Sequence, residues 1–336
     1  MKKILALLIC ILSSSVFAET SIQKKSESNF QFSLEGNLGV KKGELGEYVF
    51  YLPSEYESDL LSYLNWGYTE LCAKLQTEFV WRKTFATVSF CAGAPLPCGT
   101  MTDSDWLNVE EKNAADYQYK TNYSESENNL NYDFDILIRA GFKFKPISRL
   151  SILPFVGFSY QYISFTAEGG TAWYGNGGAE KNDTTRTIYS RWNDAENQTV
   201  GNFSGKVITY ERETLAFAAG LGAQYDFSKW QIRAWFFVAP FTKSVSKDRH
   251  HLRNMDFADE TGGTFRIFDV QIECGYEFSE KMWILFCANA RYTRLFRGDT
   301  FSKSVSNSKY AFHSTEEGGV DAKMFGAGIS FKIQLF

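Results

Sequence analysis

Proline is scarce in this chain, 6 residues in 336, and histidine scarcer still at 3. Beyond the first 18 residues no apolar run approaches the ~18 to 20 residues that a membrane-crossing helix needs. Helical membrane proteins are thereby excluded, and the candidates are a soluble exported protein or a closed β-barrel. None of the 6 cysteines has the spacing of a zinc site or the setting of a thiol nucleophile, so neither a metal nor a cofactor is expected. Basic charge is short as well. Of 35 Lys and Arg, two lie in the N-terminal leader, which leaves 33 against 39 Asp and Glu. No nucleic-acid surface is expected from that balance.

The leader itself is explicit. Met1-Lys2-Lys3 is a positive start, Ile4 to Ile11 an apolar run, and Val16-Phe17-Ala18 a small-residue cleavage site. Residues 1–18 read as a signal peptide and 19–336 as one domain; Cys10 lies within the discarded segment, and lipidation is not expected. Aromatic residues are abundant, with 30 Phe, 18 Tyr and 8 Trp, while mean hydropathy is slightly negative at -0.27. Half of each strand must therefore be polar. That combination fits an outer-membrane barrel with a polar lumen better than a periplasmic β-sandwich.

Ten strand-like stretches follow, near 29–41, 60–81, 84–97, 130–147, 149–169, 206–226, 229–245, 263–279, 281–297 and 320–336. The connections alternate in length. Those at Arg82-Lys83, Pro146-Ile147-Ser148, Ser228 and Ser279-Glu280-Lys281 are short, whereas those near 43–59, 98–129, 170–205, 246–262 and 298–319 are long and polar. A ten-stranded antiparallel transmembrane β-barrel has this form, with short periplasmic turns, long external loops and both termini inside. On the second strand Glu70, Cys72, Lys74, Gln76 and Glu78 share one face and Leu71, Ala73, Leu75, Phe79 and Trp81 the other. Only a polar lumen accepts the first row, because a charge facing lipid at mid-membrane costs roughly 2–4 kcal/mol. The last strand ends on Phe336, and a terminal aromatic resembles the signal for outer-membrane assembly. Gly169-Gly170 reads as turn chemistry at a strand end.

Two motifs carry chemistry. In extended chain, residues two apart share a face, so Asp103 projects with Asp105 and Asp248 with His250, each pair just past the upper end of an expected strand. A carboxylate pair facing an Asp-His dyad can activate a water: close carboxylates share a proton, and an imidazole held by a carboxylate is a base near neutral pH. His251 points the opposite way. Lys243, Lys247, Arg249 and Arg253 read as solvated loop charge, and His313 as a loop residue.

Gly99-Thr100-Met101-Thr102-Asp103-Ser104-Asp105-Trp106, Leu130-Asn131-Tyr132, Ser164 to Gly170 and Asp248-Arg249-His250 resemble, in order and strand position, the omptin family of outer-membrane proteases. The resemblance implies an endopeptidase without metal or covalent nucleophile. Asp103 and His250 would hold the attacking water, Asp248 would orient His250, and Asp105 would complete the carboxylate pair. The substrate pocket for a basic residue before the cut would use Glu47 and the residue at 246.

The chain also departs from the family. The loop stretch Asn122 to Asn129 has neither the Asp nor the His of the family signature. The second pocket acid is replaced by Ser246, so a weakened preference for Arg or Lys is expected. Tyr162 and Glu213 stand where the family presents basic residues to lipid A phosphates, so the family-type lipopolysaccharide site is expected to be absent. Expected partners are peptide or protein substrates and outer-membrane lipid, with the site facing the cell exterior. An idle barrel acting as an adhesin or surface structural protein is the alternative, and a porin a third. The hairpin positions of Cys72 with Cys91, and of Cys274 with Cys287, leave a disulfide open in either pair, with Cys98 left over.

Overall fold

All ten expected staves form, and most are longer than the hydropathy pattern shows. The computed structural model describes residues 30–52, 60–107, 119–175, 190–196 and 198–336, so the leader at 1–18 lies outside the described residues. β1 (Phe30–Tyr51) and β2 (Leu60–Trp81) are followed by β3 (Thr84–Gly93) and β4 (Pro97–Asp105), which form one interrupted stave between β2 and β5 (Asn122–Phe142). β6 (Phe144–Ile147) prolongs the β5 stave against β7 (Leu150–Gly175). Then come β8 (Gln198–Phe227) and β9 (Trp230–His250), and β10 (Met255–Gly263) with β11 (Ile267–Ser279) shares a second interrupted stave between β9 and β12 (Met282–Ser304). β13 (Ala311–Gln334) pairs antiparallel with both β12 and β1, and this last pairing closes the ring. Closure leaves no unpaired edge, which is what a sheet needs in lipid.

The outer wall carries a belt of bare apolar side chains. Leu38 is 74% exposed, Val156 66%, Phe241 65% and Phe325 63%, and equivalent residues recur on every long strand. At one end the belt meets the tight turns, where Arg82, Ser228 and Lys281 adopt positive φ. At the other end the strands continue well past the belt as polar, glycine-containing ladders, and here the expected boundaries fall short. Residues 42–51, 98–105, 122–129, 198–205, 246–250 and 311–319 were expected in loops and are strand. Above the lipid the outward face turns polar while the inward face, though buried, mixes polar and apolar residues, so the alternation that marks a strand in sequence fades while cross-strand pairing persists. Gly169-Gly170 is likewise no turn but a bulge within β7. Gly170 sits at φ +113, and a Cβ there would fall 1.9 Å from the Glu125 carbonyl oxygen, so only glycine fits.

Side chains fill the lumen. Glu78 is bound by Arg233 at 3.1 Å and Lys332 at 3.0 Å, and Arg291 bridges Asp269 at 2.9 Å and Asp135 at 3.0 Å. Lys41 pairs with Glu70 at 2.7 Å and also with Asp133. These pairs are buried, so each charge depends on its partner. One internal apolar cluster around Phe85, Phe155, Trp235 and Phe237 packs in the same tier, and a second around Trp66, Phe165 and Tyr210 lies under the polar rim. Trp66 stacks on both Phe165 and Tyr210, with centroids 5.8 and 5.1 Å away. The upper cluster is the floor of the site described next.

No disulfide joins the five described cysteines. Cys274 faces Phe286 in the ladder, whereas Cys287 faces Glu273, which puts the two thiols on opposite sides of the wall. Cys72 and Cys91 face Gly93 and Lys74, so they are two residues out of register, diagonal neighbours on the same face rather than directly opposed.

Candidate active site

β4 and β9 stand across the mouth of the barrel from one another, and their ends bring the two carboxylate motifs together. Asp103 pairs in the ladder with Leu64 of β2 and Asp105 with Ser62, while Asp248 and His250 pair with Tyr210 and Ile208 of β8. Both motifs thus sit inside hydrogen-bonded strands, not just beyond them as expected. Strand geometry is what aims them: the two residues of each pair point inward, and Ser104 and Arg249 do not join them.

Asp103, Asp105 and His250 line one cavity of about 170 Å³, together with Asn122, Tyr123, Ser124, Tyr174, Leu252 and Arg253. Asp248 lies behind His250, with its Oδ2 2.5 Å from the ring Nε2. That bond leaves Nδ1 as the ring nitrogen free to face the cavity. Phe257 meets the imidazole edge-on at 5.0 Å and limits its rotation. His251 points elsewhere, to the Thr209 hydroxyl at 2.9 Å.

Burial, together with the neighbouring Asp105 charge, pushes the Asp103 carboxyl up to about 7, against the pull of His250 and Arg253. Its Oδ1 is buried and has no hydrogen-bond partner among the described residues, which leaves an acceptor at the cavity wall. Burial also raises Asp105, while hydrogen bonds from Ser62 and Asn122 work in the other direction. The Asn122 amide reaches Asp105 Oδ2 at 3.4 Å. Neither Asn122 nor Arg253 was legible as a site residue: Asn122 belongs to a polar stretch read as loop, and Arg253 was read as solvated charge.

A second group of acids adjoins the dyad. Glu47 is buried, its Oε2 has no hydrogen-bond partner among the described residues, and burial followed by the charges of Asp248 and Asp259 raises its carboxyl well above the usual range. Ser246 is buried beside it and donates to Asp259 Oδ2 at 3.3 Å, the two residues being directly opposed in the β9–β10 ladder. Asp259 is pushed up to about 7, mainly by burial. It was missed because β10 was read as loop. Arg212 offsets this charge without capping it, since its donors go to the Tyr210 hydroxyl at 2.9 Å, the Asp321 carbonyl at 2.8 Å and the Gly46 carbonyl at 3.4 Å.

On the outer wall Tyr162 and Glu213 are opposed in the β7–β8 ladder. Among the described residues no cluster of three or more His, Cys, Asp or Glu is arranged to hold a metal.

The chain is similar to known proteins along almost its whole length. It is 25% identical over 285 residues to the plasminogen activator of Yersinia pestis, covering 82% of this chain and 81% of that protein. It is 25% identical over 263 residues to the outer membrane protease OmpP of Escherichia coli, covering 76% of each. Its fold superposes on the crystal structure of the outer membrane protease OmpT from Escherichia coli with a TM-score of 0.76 at 17% identity, covering 94% of this chain and all of that one. The model of the Omptin family matches residues 28–334, and the chain belongs to that family of outer-membrane proteases.

Proposed function

We propose that the protein is an endopeptidase that hydrolyses exposed peptides or proteins at the long-strand end of the barrel, facing the cell exterior. The observation that supports this most is the convergence of Asp103, Asp105 and His250 on one cavity, with Asp248 2.5 Å behind the imidazole. A water held between Asp103 Oδ1 and His250 Nδ1 has an acceptor on each side. As the water attacks the scissile carbonyl, Nδ1 takes its proton, and Asp248 stabilises the imidazolium through the Nε2 hydrogen. The raised Asp103–Asp105 pair holds a proton between two carboxyls, available to the carbonyl oxygen as negative charge develops there. As the tetrahedral intermediate collapses and the C–N bond breaks, the imidazolium returns its proton to the leaving amine nitrogen, so no covalent intermediate is needed.

In the same reading, Glu47 and Asp259 receive the basic side chain before the cut, and Ser246 fixes Asp259 in place. Two buried carboxylates with an unused oxygen suit a guanidinium or ammonium, and a charged contact of this kind contributes ~1.5–3 kcal/mol. The preference for Arg and Lys is then kept despite the serine at 246. The opposed Tyr162 and Glu213 offer no cation to a phosphate, so activity does not depend on a family-type lipopolysaccharide site. The test is a cleavage map. Incubating the refolded protein with a diverse peptide library should give cuts enriched after Arg and Lys by mass spectrometry, and an uncut library contradicts the reading.

A further inference from the structure

At the rim beside Asp103 and Asp105, three aromatic residues from three separate stretches of chain surround one ammonium group, and a fourth backs them. Lys120 Nζ lies over the rings of Tyr123 at 4.3 Å, Trp192 at 5.8 Å and Trp106 at 5.9 Å. Trp173 backs this group, stacked on Tyr123 at 5.8 Å and edge-on to Trp192 at 6.0 Å, while Trp192 packs on Tyr123 at 4.8 Å. These rings lie beyond the lipid-facing belt, in polar segments, so membrane anchoring does not account for them.

We propose that Trp106, Tyr123, Trp173 and Trp192 form a cation-binding cage that receives a lysine or arginine side chain of the substrate, with Lys120 as its resident occupant in the free protein. The identity of the ligand rests on the protease reading; the capacity to bind an organic cation does not. Three ring faces turned toward one point present their negative quadrupole to it, and this arrangement selects ammonium and guanidinium over neutral or acidic groups. The field of Asp103 and Asp105 adds to that preference, while burial works against the charge on Lys120. Among the described residues no carboxylate forms an ion pair with Lys120, so the rings and this field hold it in place.

The occupant can leave without unfolding its surroundings. The Lys120 carbonyl accepts from Trp192 N–H at 3.1 Å, and Thr121 N–H donates to the Asp105 carbonyl at 2.8 Å, which secures the backbone whichever way the long side chain turns. Tyr123 belongs to both features, lining the catalytic cavity and flooring the cage. A peptide lying in the cavity therefore passes the cage opening and can exchange its own cation for that of Lys120.

The test uses the full chain folded in detergent micelles, with tryptophan fluorescence as readout and tetramethylammonium chloride as probe against sodium chloride at equal ionic strength. In Lys120→Ala the cage is vacant, and half-saturation should fall at least about fivefold below that of the unmodified protein. Lys120→Met, which keeps the stem without the charge, serves as the second variant and should shift in the same direction. Adding Tyr123→Ala to Lys120→Ala should abolish the saturable response. Titrations identical in all three proteins, or a response that survives Tyr123→Ala, overturn the cage. With peptides, Lys120→Ala should lower KM at least about threefold for substrates carrying an additional Lys or Arg and leave neutral ones unchanged. Cleavage with no such difference overturns the substrate assignment, whereas absence of all cleavage refutes the protease reading and leaves the fluorescence result to decide the cage.

Discussion

Ser246 and Asp259 face each other across the β9–β10 ladder, and the serine hydroxyl donates to the aspartate at 3.3 Å. In the proposed pocket, the carboxylate that the family resemblance places at 246 is replaced by one at the directly opposed position of the neighbouring strand. Cross-strand partners lie only about 5 Å apart, so the acid moves little while the residue number changes by 13.

The pocket prediction follows from that pair. Asp259→Asn should lower kcat/KM for peptides with Arg or Lys before the cut by about tenfold or more, with little change for neutral peptides, because one charged contact is removed. Ser246→Asp should sharpen the preference by less than about threefold, since a carboxylate already stands there and two adjacent acids share a proton. Steady-state kinetics on a matched peptide pair decides this. Equal losses on both peptides would mean that Asp259 does not meet the substrate.

Asn122 is expected to position Asp105. Its amide touches the carboxylate at 3.4 Å, and Asn122→Ala should reduce kcat by about tenfold and shift the acidic limb of the pH–rate profile upward, as the charged form of the pair loses a donor. Asn122→Asp, adding a third carboxylate, should be more damaging than alanine. A pH profile unmoved by either change contradicts the role.

Asp103 makes a stability prediction with a definite sign. Its folded carboxyl is pushed up to about 7, above the ordinary 3.8, so the folded state binds more proton than the unfolded between those values. The favourable contribution of the protonated form is present below pH ~4 and is lost as pH rises through about 7. Asp103→Asn should therefore raise the thermal midpoint at pH 8 while changing it little at pH 4, as read from heat-modifiable gel mobility. A shift of equal size at both values contradicts the assignment.

How much of this was legible follows from where the solvent is. Within the lipid, each strand has one oily and one polar face, and sequence alternation such as Glu70, Lys74 and Glu78 against Leu71, Leu75 and Phe79 locates the staves closely. Beyond the lipid that contrast disappears, which hid the upper parts of β1, β5, β8 and β13 and all but one end residue of β4 and of β10. The i, i+2 spacing of Asp103 with Asp105 and of Asp248 with His250 survived this, because extended geometry fixes the shared face whatever the solvent. Asn122, Arg253 and Asp259 did not, since Asn122 and Asp259 reach the site from neighbouring strands and Arg253 from the β9–β10 turn, and none carries a local pattern of its own. The same limit applied to the cysteines: equal distance from a turn brought Cys274 and Cys287 near one another along the chain but not onto one face.

The most direct measurement of the central claim is kcat/KM for His250→Ala beside His251→Ala, on one peptide cut by the unmodified protein. His250 is held by Asp248 at 2.5 Å and faces the cavity, whereas His251 is turned to Thr209. The account predicts a loss of about 100-fold or more for His250→Ala and for Asp103→Ala, less than about threefold for His251→Ala, and unchanged heat-modifiable mobility in all. Near-normal turnover in folded His250→Ala would contradict it.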